Sequence, residues 1–208
     1  MTERLVKPLL VVLSAPSGAG KSTLCQYLRE SFANLAYSVS CTTRAPRGQE
    51  RDGAEYFFLS AAEFRRRVAA GEFLESALVH GNYYGTLKAT VREAIARGDS
   101  VLMDIDVQGA AQIREALRRD DTLRNVGDGF VDIFVRPPSL DVLRRRLELR
   151  GEDSAAVIAG RLERAAAELA AGGAYRFTVV NDRLETAQAE LAGILRRAAE
   201  MRNNGEDV

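Results

Sequence analysis

The chain is poor in the residues that mark several kinds of protein. Its two cysteines, Cys25 and Cys41, cannot build a disulfide framework and stand in no metal-binding spacing. They are expected as free thiols in a reducing compartment. Lysine is nearly missing: only Lys7, Lys21 and Lys88 occur, and every other basic residue is an arginine. In so lysine-poor a chain, Lys21 inside a glycine-rich turn stands out. No run approaches the roughly 20 apolar residues of a membrane span. The start, MTERLVKPLL, is charged and carries only a short apolar run, so no signal peptide is read and a cytoplasmic location is expected. There is no excess charge of either sign, since 29 Lys and Arg balance 29 Asp and Glu. Nothing global therefore argues for a nucleic acid or a membrane as partner. Repeats and low-complexity tracts are missing too.

What is present is ordinary for a globular protein: 46% apolar and 28% charged residues, in a chain long enough for one sizeable core. Apolar runs end in turns and alternate with helical patterns. LLVVLS (9–14), SVLMDIDV (100–107), FVDIFV (130–135) and FTVVN (177–181) read as buried strands. YFFL, near residue 58, reads as a further one. Helices are expected over 22–33, 61–79 with a break at Gly71, 87–97, after DIDV, 139–171 with a break near Gly151, and 184–201. HGNYYGT reads as a loop, with the single histidine, His80, in it. RRDDTLRNVGDGF, around 118–129, reads as a long surface loop away from the phosphates. The closing NNGEDV is expected to fray. The order predicts an α/β fold: a three-layer core with a mostly parallel sheet, interrupted by a polar, alternating insertion that begins near residue 38.

The stretch APSGAGKST (Ala15–Thr23) lies between a strand and a helix. The phosphate-loop pattern G-x-x-x-x-G-K-[ST] has glycine where this chain has Ala15. That position marks the strand exit, where alanine is tolerated at negative φ. Successive backbone N–H groups from Ser17 to Ser22 can cradle phosphate oxygens, and the helix dipole adds to them. Gly18 and Gly20 permit the close approach, Lys21 reaches the β- and γ-phosphates, and the Ser22 hydroxyl can ligate Mg²⁺. The acidic end of SVLMDID supplies the second half of such a site. Asp104 is the first candidate, and Asp106 faces the same way if the strand continues. A hydrolase, a kinase and a nucleotide-gated switch all fit at this point.

SCTTRAPRGQERDGAEYFF places Arg44, Arg47, Arg51 and Tyr56 close together, and HGNYYGT adds Tyr83 and Tyr84. Guanidinium forks and phenol donors suit phosphate oxygens, so a second phosphate site is the functional reading and a solvated charged loop the bland one.

These segments, followed by GEFLE, DIDVQGA, RPPSL, RRRLELRGEDS and NDRL, occur in the order found in guanylate kinases, and the chain resembles the bacterial members of that family over residues 9–186. The resemblance implies a P-loop nucleoside monophosphate kinase: a core of 1–37, 89–136 and 162–208, a GMP-binding subdomain of 38–88 with a small mixed or antiparallel sheet, and a helical lid of 137–161. It implies transfer of the γ-phosphoryl of MgATP to GMP, with dGMP as a further acceptor.

For GMP it implies Arg44, Arg47, Tyr56 and Tyr84 on the phosphate, Ser40, Glu75 and Thr86 on guanine, Asp104 and Asp106 close to the base, and Glu50 in the polar network around them. For ATP it implies Ala15, Pro16, Ser17, Gly18, Ala19, Gly20, Lys21, Ser22 and Thr23, with Asn181 at the adenine end. Catalytic roles fall to Lys21, Arg44, Asp104 and the lid arginines Arg146, Arg150 and Arg161, and metal contacts to Ser22 and Asp104. His80 is not needed as a catalyst.

The chemistry of guanine agrees. Its N1–H and exocyclic amine share an edge, so one carboxylate, Glu75, can accept from both, while adenine would present an acceptor there.

Three departures stand out. Ser76 occupies a place where a larger side chain is usual, so looser packing behind Glu75 is expected. Arg183 replaces a common acidic residue at the adenine end. The 118–129 stretch is longer than usual. A non-catalytic phosphopeptide-binding module of the same fold, and a kinase for another nucleoside monophosphate, are the competing readings. The sequence sets no oligomeric state. Both charged segments are expected to be poor in apolar anchors, to stand open without ligands, and to close separately on GMP and on ATP.

Overall fold

Five consecutive buried residues, Leu10–Ser14, form β1, the centre of the main sheet. A strand buried on both sides needs helices on both faces, and the computed structural model shows this arrangement. It describes residues 2–79, 81–151 and 153–206. His80 lies outside the described residues, as do the last two of NNGEDV.

The main sheet has five parallel strands. Beside β1 run β7 (Ser100–Asp104) and then β2 (Leu35–Tyr37) on one side, with β8 (Phe130–Arg136) and then β9 (Phe177–Val180) on the other. One face buries Leu9, Val11 and Leu13 against helices α1 (Lys21–Ser31) and α8 (Leu184–Asn204). The other buries Leu10 and Val12 against α3 (Lys88–Ala96) and α4 (Val107–Arg119). In register, Leu13 faces Asp104, so the acidic end of β7 sits beside the point where β1 turns into the glycine loop. Asn181 follows β9 directly, its N–H donating to the Arg136 carbonyl at 2.9 Å.

A second, four-stranded mixed sheet carries the insertion, in the order β4 (Tyr56–Phe58), β3 (Ser40–Thr42), β6 (Asn82–Leu87), β5 (Phe73–Val79). Helix α2 (Ala61–Ala69) covers it, capped by Ser60, whose hydroxyl accepts from Glu63 N–H. Phe64 of α2 stacks on Phe73 and on Tyr83 at centroid distances of 4.4 and 5.2 Å. Helices α6 (Leu140–Arg150) and α7 (Ala155–Ala171) close the phosphate end, separated by Gly151 at φ 69°.

Several expectations are corrected. Residues 61–79 are not one helix, because after Gly71 the chain becomes β5. HGNYYGT is not a loop: its residues from Asn82 onward form β6, paired to β5 from Asn82 to Leu87. Both segments lie half-buried in a small sheet, where short patterns with period two are hard to tell from helix or loop. Residues 118–129 are no bare loop. They form a short turn and α5 (Arg124–Gly127), and bury Leu123 and Val126 against the α3–α4 face. They lead into the start of β8, at the opposite end of the parallel strands from the glycine loop. The last helix does not fray at NNG. It runs to Asn204 and is capped by Gly205.

The expectation that the charged segments are poor in apolar anchors fails for the arginine helices. Leu143, Leu147, Ile158, Leu162 and Ala165 form their own buried cluster between α6 and α7. Helix α7 is unbroken through Arg161, so the boundary expected there falls inside a helix. Among the described residues, no helix is long and apolar enough to cross a membrane.

Candidate active site

The glycine loop is shaped by two left-handed glycines, Gly18 at φ 89° and Gly20 at φ 91°. Each also stands where an added side chain would force a neighbour to shift. A Cβ on Gly18 would come within 2.9 Å of Leu147 Cδ2 on α6, and one on Gly20 would collide with Asn181 Nδ2. Ala15, in the place of the pattern's first glycine, is buried, and its methyl belongs to the apolar cluster under α1. The Asn181 amide donates to the Ala19 carbonyl at 2.8 Å. Asn181 therefore holds the back of the loop, and both it and Ala19 are buried.

Around the loop opens a cavity of about 630 Å³ lined by Ala15, Pro16, Ser17, Gly18, Gly20, Lys21, Ser22, Thr23, Asp106, Arg146, Arg150 and Glu168, among others. Lys21 Nζ lies 2.5 Å from Asp104 Oδ1 and donates to the Ile105 carbonyl at 3.3 Å. Arg146 donates to the Asn181 carbonyl at 2.8 Å. Arg161 reaches the loop itself, 3.3 Å from Ser17 Oγ, and is held from behind by Asp153 at 3.1 Å. The arginine helices thus rest on the loop, where an open lid was expected.

The acceptor side is a smaller cavity of about 280 Å³, lined by Tyr37, Ser38, Ser40, Glu55, Tyr56, Glu75, Tyr84, Asp104 and Asp106, among others. At its inner end Glu75 of β5 is only 7% exposed. Burial pushes its carboxyl up to about 7; the nearby Asp106 carboxylate adds to the rise, and Thr86 opposes it. Thr86 is opposite Glu75 in the β5–β6 pairing. It lies close enough to ease the charge, yet its hydroxyl makes no hydrogen bond of good geometry and stays an unpartnered buried polar atom, as does that of Ser38. The Ser76 N–H and C=O are both taken by the Gln112 amide of α4, each at 3.0 Å. Asp106 caps α4, accepting from the N–H groups of Gln108 and Gly109.

The arginines at the mouth are organised by Glu50. Its two oxygens accept from Arg44 Nη1 and Nη2 at 3.0 and 2.9 Å, and it also accepts the Arg47 N–H at 2.8 Å. That fork, with Tyr84 beside it, holds the Arg44 guanidinium above the usual arginine range, and Arg44 lies over the Tyr56 ring at 5.3 Å. Of the predicted acceptor-site residues, Arg44, Arg47, Glu50 and Thr86 do not line the cavity; Arg44 reaches it only through its contact with the Tyr56 ring, Thr86 lies behind Glu75, and Arg47 is exposed to solvent. The second metal candidate, Ser22, sits in the first turn of α1, and with Asp104 it lines a neighbouring cavity between α1 and β2. Both thiols are buried, Cys25 pushed up to about 12 and Cys41 to about 11 by burial, so neither is a nucleophile.

Sequence reasoning missed Ser38, Asp153 and Glu168. Ser38 had a signal, since it is two residues from Ser40 and shares its face. Asp153 lies in the turn between α6 and α7, inside RRRLELRGEDS, a segment from which only arginines were singled out, and Glu168 falls in a helical stretch that was given no role.

Comparison with known proteins agrees with this geometry. The guanylate kinase family model matches residues 7–198. The chain is 50% identical over 189 residues to a guanylate kinase of Anaeromyxobacter dehalogenans, covering 90% of this chain and 80% of that one. It is 42% identical over 202 residues to a guanylate kinase of Bacteroides fragilis, covering 94% and 95%. The solved guanylate kinase from Anaplasma phagocytophilum superposes with a TM-score of 0.65 at 33% identity, over 92% of this chain and 86% of that one. The family model over most of the chain and these likenesses agree: the chain belongs to the guanylate kinase family.

Proposed function

We propose that the protein transfers the γ-phosphoryl of ATP to GMP, giving ADP and GDP, with dGMP as a further acceptor. The observation that carries this reading is that Asp106 lines both cavities. The phosphate cavity and the acceptor cavity therefore meet at one residue, as a direct transfer between two bound nucleotides requires.

The acceptor base enters the smaller cavity, where Glu75 in its ionised form accepts from guanine N1–H and the exocyclic amine. The Ser40 hydroxyl, on the cavity wall, is the donor for O6, and the Thr86 hydroxyl, buried beside Glu75, is the second candidate once the carboxylate turns to guanine. Arg44, Tyr56 and Tyr84 stand at the mouth for the phosphate, with Arg44 kept in place by Glu50. On the donor side the loop N–H groups and Lys21 hold the triphosphate, and Arg146, Arg150 and Arg161 neutralise the group in flight. The acceptor phosphate oxygen is already anionic, so the residues position and neutralise, and none needs to act as a strong base.

Mg²⁺ fits the donors present. Ser22 and Asp104, which line one cavity, would hold it through hard oxygen donors, and no cluster of three acidic, histidine or cysteine side chains forms a dedicated cage among the described residues. Bound with ATP, the ion would supply charge neutralisation on the phosphate oxygens. By the same reading the chain divides into a core, an acceptor segment over 38–88 and a lid over 137–161.

The presence of Lys21, Ser22, Asp104 and the lid arginines on the donor side favours transfer over the competing module reading. ADP release measured across GMP, AMP, CMP and UMP tests the proposal. GMP is expected to exceed AMP by roughly 10⁴-fold, because adenine leaves Glu75 facing an acceptor. Equal rates with AMP would overturn it.

A further inference from the structure

Glu168 is the carboxylate of the phosphate cavity that no role above uses. It lies on α7, lines that cavity beside Lys21 and Arg150, and is half-buried. Every other acidic group nearby is engaged: Asp104 on Lys21, Asp106 on the start of α4, Asp153 on Arg161. Among the described residues no hydrogen bond or ion pair holds Glu168. The bland reading is a solvated helix residue balanced by Arg164, four positions earlier. Two observations oppose it. Burial raises the Glu168 carboxyl above its ordinary range, and of the cations acting on it Lys21 outweighs Arg164. Arg161 and Glu168 are also seven residues apart, so they project from the same face of α7, about 10 Å from each other along its axis. Helix α7 therefore meets the phosphate site at two points, through Arg161 at Ser17 and through Glu168 in the wall of the cavity that Lys21 also lines.

Lys21 has three N–H donors and no acceptor of its own. Here Asp104 and Ile105 take two of them. If Asp104 turns to the metal when MgATP binds, the ammonium loses its strongest protein partner and is left as a point charge on a flexible stem. We propose that Glu168 is a positioning residue that takes up a Lys21 N–H as Asp104 is released, fixing the ammonium over the transferred phosphoryl group. The inference rests on the proposed transfer from ATP to GMP. A carboxylate facing a triphosphate works against ground-state ATP binding, so its benefit must appear in the transfer step.

The test compares the wild type with Glu168→Gln and Glu168→Ala, by turnover with ATP and GMP, by calorimetric affinity for MgATP alone, and by thermal unfolding. Expected is a fall in kcat of about tenfold or more in both variants, with MgATP affinity unchanged or up to about threefold tighter, GMP KM unchanged, and an unaltered Tm. Glu168→Asp, which keeps the charge on a shorter arm, should recover part of the rate. A kcat within twofold of the wild type overturns the inference. So does a parallel loss of kcat, MgATP affinity and Tm, which would mark a merely structural residue. A wild type that transfers nothing from ATP to GMP overturns the activity itself, and this inference with it.

Discussion

Asp104 Oδ1 and Lys21 Nζ, 2.5 Å apart, tie the last residue of β7 to the first residue of α1. The ammonium is thus aimed at the phosphate cavity by a carboxylate that also borders the acceptor cavity. Lys21→Ala should lower turnover by roughly 10²- to 10³-fold, the size expected for losing one preorganised donor to developing charge. GMP affinity, measured separately by calorimetry, should stay within about twofold. A collapse of GMP affinity with turnover intact would show that donor and acceptor sides are reversed.

The buried Glu75 makes GMP recognition depend on pH. Its carboxyl must be ionised to accept from guanine, and burial lifts it from an ordinary 4.5 to about 7. Apparent GMP affinity should therefore improve as pH rises through about 7. The phosphate of GMP titrates in a similar range, so Glu75→Gln is the control: it keeps the ligand's own titration and should lose the remainder. Fold stability runs the opposite way. A carboxyl raised by folding contributes its stability below its ordinary value and loses it as the pH passes the raised one. The gap corresponds to roughly 3 kcal/mol. At pH 8 Glu75→Gln should thus melt higher than the wild type while binding GMP far more weakly. A lower Tm at that pH would refute the burial cost.

Glu50 touches no cavity wall, yet its fork sets Arg44. Glu50→Gln should raise KM for GMP about tenfold through loss of a charge-assisted bidentate contact, with KM for ATP unchanged. Equal effects on both substrates would mean that the whole insertion has shifted.

Gly20 and Asn181 occupy one space. Gly20→Ala places a methyl against Asn181 Nδ2 and strains a left-handed φ, so a loss of about 2 kcal/mol or more is expected by denaturant unfolding. Asn181→Ala removes the bond to Ala19 but makes room. The double variant should be less destabilised than the sum of the two singles. Strict additivity would show that the collision is relieved elsewhere.

The parts of the fold that could be read from the sequence were those with a single physical demand. LLVVLS has to be a buried parallel strand, and GAGKS between strand and helix has to be an anion cradle. The Asp104 position followed from the end of an apolar run. The insertion was harder. Its β5 and β6 are half-buried, and their apolar spacing satisfies two periods at once. Asn181 was placed at the adenine end by likeness, and only its packing shows it bracing Ala19 and filling the space over Gly20. Glu168 carried no local signal at all, because its meaning depends on a helix docking across about 150 residues of intervening chain, from Lys21 on the loop.

The contact between Gly18 and the leucines of α6 gives the arginine helices a thermal character. Leu143 and Leu147 are buried where a glycine lets them approach the phosphate loop. Swinging α6 away would uncover apolar surface, so opening carries a positive heat capacity and the holding force weakens in the cold. Salt screens the arginines but leaves this contact untouched. Temperature and ionic strength therefore act on the same movement through separate handles, and a Leu147→Ala variant would lose the first while keeping the second.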